Sequence, residues 1–295
     1  MYHFLALLNG VLIAVMIAIN GAMAEQYDLH VVTVFIHMAG FFLIAAMVLF
    51  KGDQPFAARH PWFLYLGGAI GVLVTIFNNF SFSRISVSAI LALALLGKGV
   101  MGLIIDQLGL FGMPKHPFRP ENLLGLSLIL IGIAPMLTDF EIVAVIMSFA
   151  AGVGVVISRT LNAKLGKLTN IRVGTFFNYF IGLSVALPVY FLFGSGEIFP
   201  PTLPISLNWY IYTGGFIGVI VITMSNVIVV KIAAFYLTLL VFVGQVFTGI
   251  LLDALLDGAF SIRIFVGGIL VAAGLGTNLL MDRKREREKQ TKLKD

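Results

Sequence analysis

Apolar residues run in long stretches separated by short polar connections. A membrane-spanning helix needs about 20 mostly apolar residues. Ten stretches come close to that length: 3–24, 31–50, 61–82, 85–105, 122–138, 141–160, 172–193, 208–229, 232–252 and 262–281. Short connections make consecutive helices antiparallel neighbours. The pattern therefore predicts an all-α membrane protein with ten transmembrane helices and no soluble domain. The first stretch ends in Ala22-Met23-Ala24, the small-x-small pattern of a signal-peptidase site. It lacks a basic start, however, and a related helix recurs at 141–160, so it reads as a retained span.

Composition agrees. The chain is 59% hydrophobic and 11% charged, with mean hydropathy +1.02. A soluble domain carries about 25% charged residues, so this chain could not cover a water-exposed surface. There is no cysteine, which excludes disulfides, thiolate metal sites and cysteine nucleophiles. The net charge of +5 does not point to nucleic acid, because most of the excess lies in the tail from Arg283. A basic end beside a span sets orientation and touches anionic lipid.

With both termini cytoplasmic, the inner side carries Lys51, Arg59, Lys115, Arg119, Lys164, Lys167, Arg172, Lys231 and the tail, with Arg159 at the inner end of the sixth span. The outer connections carry only Arg84 and Arg263. That asymmetry fixes the expected orientation.

The chain also repeats itself. Trp62 and Trp209, Tyr65 and Tyr212, Gly67-Gly68 and Gly214-Gly215, Gly71 and Gly218, Asn79 and Asn226, Gly97 and Gly244, Gly102 and Gly249, and Asp106 and Asp253 all stand 147 apart (209 − 62). Asn20 and Asn162, Gly40 and Gly182, and Gly132 and Gly274 stand 142 apart (162 − 20). Rare residue types matching in order mark a duplication, predicted as repeats 1–139 and 140–282 followed by a basic cytoplasmic tail, 283–295. Five spans per copy would start the second copy on the opposite side of the membrane. Inverted repeats with a polar site near the midplane are a transporter plan.

Lys98 is the outstanding candidate residue. It lies in the apolar stretch 85–105, where a charge costs roughly 2.5–3.5 kcal/mol even on the mildest scale. It reads as a cavity cation for an anionic or zwitterionic group, as a proton-coupling lysine, or as an internal tether or snorkelling side chain. Its repeat counterpart is Gln245, a neutral donor and acceptor. Asn79 and Asn226, with Asn78, mark the third and eighth helices, and Asn9, Asn20, His37 and Tyr179 are further candidates, with Asn178 beside them. Each has a packing role as its alternative. Asp106 and Asp253 read as hydrated interfacial carboxylates or as gate partners.

No phosphate loop, H-E-x-x-H or metal-spaced carboxylate cluster occurs. No cofactor and no metal are expected, and an intramembrane enzyme would lack its acid, base or metal. No mid-membrane carboxylate occurs either, which weakens export of drug cations.

These residues carry a resemblance. Asn20-Gly21 and Asn162-Ala163 end the first and sixth helices. Gly67-Gly68-x-x-Gly71 and Gly214-Gly215-x-x-Gly218 match, as do the G-x4-G-x3-D frames ending at Asp106 and Asp253, and the run Asp106–Gly112 follows the pattern closely. On these motifs the sequence resembles the drug/metabolite transporter superfamily, and within it a fused double copy of the five-helix YdcZ-like inner-membrane exporter domain. The resemblance implies ten helices in two inverted halves, secondary transport without ATP, and a cavity lined by the first, third and fourth helices of each half. It also implies glutamine after the fourth-helix glycine, which Gln245 keeps and Lys98 does not.

The expected function is alternating-access export of a small polar metabolite across a bacterial inner membrane. Its site would favour an anionic or zwitterionic substrate. Expected partners are that substrate, membrane lipid and a coupling proton or ion, but no nucleic acid, with the chain a monomer or homodimer. The alternatives are a non-transporting membrane scaffold or subunit, and an exporter of cationic or lipophilic compounds.

Overall fold

The computed structural model describes residues 2–112, 141–194, 206–228 and 234–256, with scattered helical residues in 127–134 and 262–280. The expected fifth span (most of 122–138), much of the tenth, the tail 283–295, Lys115, Arg119, Lys231 and Arg263 lie outside the described residues, as do the side chains of Asp106 and Asn226.

Every element among the described residues is helical. The long helices are α1 (Tyr2–Gln26), α2 (Leu29–Lys51), α3 (Leu66–Phe82), α4 (Val87–Leu108), α5 (Ile142–Leu168), α6 (Ile171–Phe193), α7 (Gly214–Ile228) and α8 (Ala234–Leu256). By length and composition, six helical segments of the described chain can cross a membrane; Trp209–Ser225 and Leu240–Leu256 are shorter apolar helices.

Local chemistry sets the helix ends. The Asp28 carboxylate accepts the N–H groups of His30 (2.8 Å) and Val31 (3.3 Å), opening α2. Ser86 caps α4 through the Ala89 N–H (3.2 Å), and Asn170 caps α6 through Val173 (2.9 Å). These side chains satisfy donors that a helix start leaves orphaned. Gly52 (φ 68°) and Gly109 (φ 65°) close α2 and α4 in the left-handed conformation.

Two expected spans differ from their sequence reading. Stretches 61–82 and 208–229 are each entered through a 3-10 turn, Trp62–Tyr65 and Trp209–Thr213, before the α-helix begins. Both tryptophans are 74% exposed. Amphipathic rings so placed suit the membrane interface. Helix α5 also runs eight residues past its expected end at 160.

The duplication is visible in the packing. Helix α1 packs on α8, and its counterpart α5 packs on α4. Backbones touch at both crossings. A Cβ on Gly10 would fall on the Val241 carbonyl and one on Gly244 on the Leu7 carbonyl. At the other crossing a Cβ on Gly97 would meet the Phe149 carbonyl, and one on Gly152 the Ala94 carbonyl. Small residues at such points let membrane helices approach closely. Helix α3 packs on α5 as α7 does on α1, and α2 packs on its own counterpart α6. The interface of the halves is the core of the molecule.

Candidate functional site

A cavity of about 210 Å³ lies between the halves, lined by residues from all eight long helices. Its apolar lining includes Ile13, Ile17, Leu91 and Val221. Its polar groups come from both copies.

Seven of the ten polar candidates named from the sequence reach this cavity: Asn20, His37, Asn78, Lys98, Asn178, Tyr179 and Gln245. Two do not line it. Asn9 is buried and its amide donates to the Ser225 hydroxyl at 2.8 Å, so it acts through a cavity residue. Asn79 is buried away from the lining, and its neighbour Asn78 takes the place. One residue along a helix turns a side chain by about 100°, which hydropathy could not assign. The side chain of Asn226 lies outside the described residues.

His37 is a held histidine. Its Nδ1 donates to the Thr33 carbonyl at 2.8 Å, and its ring tilts against Tyr179 with centroids 6.1 Å apart. The two are repeat counterparts and trade places: a Cβ on Gly182 would meet His37, and one on Gly40 would meet Tyr179. An amide network supports this side. Asn162 donates to Asn178 (2.8 Å) and to Ser158 (3.3 Å), whose hydroxyl donates to the Gly67 carbonyl (2.8 Å).

The sequence reading missed Arg159 as a site residue. Expected at the inner end of its span, it lies inside α5 because the helix continues to Leu168. Its side chain lines the cavity and is open to it. The apolar residues beyond it, Leu161 and Leu165, both buried, were the available signal. Arg159 and Lys98 line the same cavity.

Among the described residues no carboxylate lines the cavity. Asp253, expected as a hydrated interfacial group or gate partner, is instead buried. It accepts the N–H groups of Val87 (2.7 Å) and Ser88 (3.1 Å) and the Ser88 hydroxyl (2.5 Å). The start of α4 captures it because the first N–H groups of a helix attract a carboxylate. Meanwhile three buried amide atoms of the lining have no protein partner: Gln245 Nε2, Asn20 Oδ1 and Asn78 Oδ1. Each such atom costs about 1–3 kcal/mol if left unpaired.

The site is thus an apolar chamber with two cations, a ring of amides and no internal counter-ion among the described residues. The sequence profile of the family described as "Putative inner membrane exporter, YdcZ" matches residues 1–135 and again 143–277. The chain belongs to this family. It carries two copies of the YdcZ domain, as the resemblance implied, and is a multi-pass inner-membrane protein of an exporter family rather than of an enzyme family. No curated protein matches the sequence. A solved structure titled "Crystal structure of protein" superposes with a TM-score of 0.65 at 17% identity, covering 97% of each chain. At that identity it shares the fold.

Proposed function

We propose that this YdcZ-family protein is a secondary transporter that exports a small anionic or zwitterionic metabolite by alternating access. Two inverted five-helix repeats, 1–139 and 140–282, would exchange roles around the cavity. Both termini would be cytoplasmic, as the distribution of Lys and Arg requires. The exchanged packing of α1 with α8 and α5 with α4 supports two equivalent halves.

One observation carries the substrate reading: Lys98 faces a chamber between the halves that contains no carboxylate among the described residues. A cation retained in such a place at several kcal/mol is explained by an anion that arrives from outside. Gln245, Asn20, His37 and Tyr179 complete the site around it, with Asn79, Asn226 and Asn9 behind. A drug cation would meet repulsion here, and a non-transporting scaffold would leave the chamber without purpose.

The test is ligand-dependent thermal stability of the purified protein and of Lys98→Gln. A ligand that binds the folded state raises the unfolding midpoint with concentration. Small carboxylates or zwitterions should stabilise the wild type and not the variant. Equal stabilisation of both proteins by cations would refute the reading.

A further inference from the structure

The two halves are alike in packing but not in charge. Lys98 on α4 has the counterpart Gln245 on α8, and Arg159 on α5 has the counterpart Ile17 on α1 (17 + 142 = 159). All four line the cavity. Both cations therefore sit on one crossing helix pair, α4 with α5, and the cavity-lining residues of the symmetry-related pair, α8 with α1, are uncharged.

The crossing brings the cations together. Gly97, immediately before Lys98, packs against α5 at Phe149 and Val153. Arg159 follows Val153 by six residues, about 9 Å along the helix axis, within the joint reach of a lysine and an arginine side chain. Neither side chain hydrogen-bonds to protein among the described residues, and both line the same cavity. A cation on the wall of an apolar membrane chamber is retained where something pairs with it. Two adjacent cations on one wall present two unanswered charges. The opposite wall offers the free Nε2 of Gln245, a neutral donor.

We infer that Lys98 and Arg159 form a two-cation clamp on the α4–α5 wall, selecting a compact substrate with two negative charges, such as a dicarboxylate or a phosphate. This rests on the anion reading above and narrows it. The substrate lies off the axis relating the halves, with its charge on α4 and α5 and its hydrogen-bonding remainder toward Gln245. A lysine holds such a group as a point charge, and the guanidinium adds a planar donor fork.

The experiment compares probes of similar size on the full chain in detergent at constant ionic strength and at a pH of about 8, where succinate and inorganic phosphate each carry two charges and butyrate one. The readout is the concentration that raises the unfolding midpoint. Wild type should respond to succinate or phosphate at concentrations at least about tenfold below butyrate, roughly 1.4 kcal/mol. Lys98→Gln and Arg159→Gln should each reduce that ratio to near one, and Arg159→Lys should retain most of it. If Arg159→Gln does not fold, the wild-type ratio and Arg159→Lys decide. Equal response to all three probes, lost in Lys98→Gln, would leave the anion reading standing and remove the clamp. No response to any of the three would overturn the clamp and, with it, the anionic form of the reading above.

Discussion

The carboxylate of Asp253, near the end of α8, accepts the backbone N–H of Val87, the first residue of α4, at 2.7 Å. A side chain of the second copy thus completes a helix of the first, the helix that carries Lys98. The contact couples the halves about one helical turn from Leu91, a residue of the cavity lining.

Removing it should loosen α4. Asp253→Ala should lower stability by about 0.5–2 kcal/mol, the range for a lost helix cap, and Asp253→Asn by less, since the amide oxygen still accepts. Thermal unfolding in detergent measures both. An unchanged midpoint in Asp253→Ala would show that the carboxylate does not support the helix.

The connection after α2 is tied to α6 by an ion pair. Arg172 Nε and Nη2 donate to the Asp53 carboxylate at 2.5 and 2.9 Å, and Asn170 adds a bond at 3.0 Å. The hydrogen bond from Arg172 holds the Asp53 carboxyl below its ordinary range. A carboxylate with a depressed folded pKa stabilises the fold above its unfolded pKa, about 3.9. That stabilisation is lost as pH falls through the folded value. Asp53→Asn should therefore unfold at lower temperature than wild type near neutral pH, and the gap should close in strong acid. Parallel curves down to pH about 2 would rule the linkage out.

The glycine pair in Gly67-Gly68-x-x-Gly71 does not act as a unit. A Cβ on Gly68 would strike the Asn178 carbonyl and come within 2.9 Å of the Gly182 nitrogen, backbone that cannot yield. On Gly71 the nearest atom would be Asn178 Oδ1 at 3.9 Å, an ordinary contact. Gly68→Ala should cost about 1–3 kcal/mol through overpacking; Gly71→Ala should be near neutral in stability. Expression yield and melting temperature separate them, and equal losses would contradict the stated packing.

Moving the charge tests the asymmetry of the site. In the double variant Lys98→Gln with Gln245→Lys, the cation moves to the helix pair that lacks Arg159. Binding of succinate lost in Lys98→Gln should not return. Full recovery would mean that the two positions are interchangeable about the axis, and that the wall bearing Arg159 has no special role.

Spacing and residue type made much of this protein legible in advance. Long apolar stretches dictate helices because every backbone polar group must be satisfied internally in lipid. The order of Trp, Tyr, Asn and Gly exposed the duplication, and one lysine in an apolar stretch located the chamber. Periodicity could not say where α5 ends, so Arg159 passed for an interfacial residue; nor could it choose Asn78 over its neighbour Asn79. The fate of Asp253 lay further still from view, since its partner is a helix start 166 residues away. Local sequence determines which segments are helices. Which side chains share a chamber, and which charge answers which dipole, depends on how the two copies cross. That is decided by backbone contact at Gly10, Gly97, Gly152 and Gly244, where the halves come close enough for groups far apart in the chain to meet.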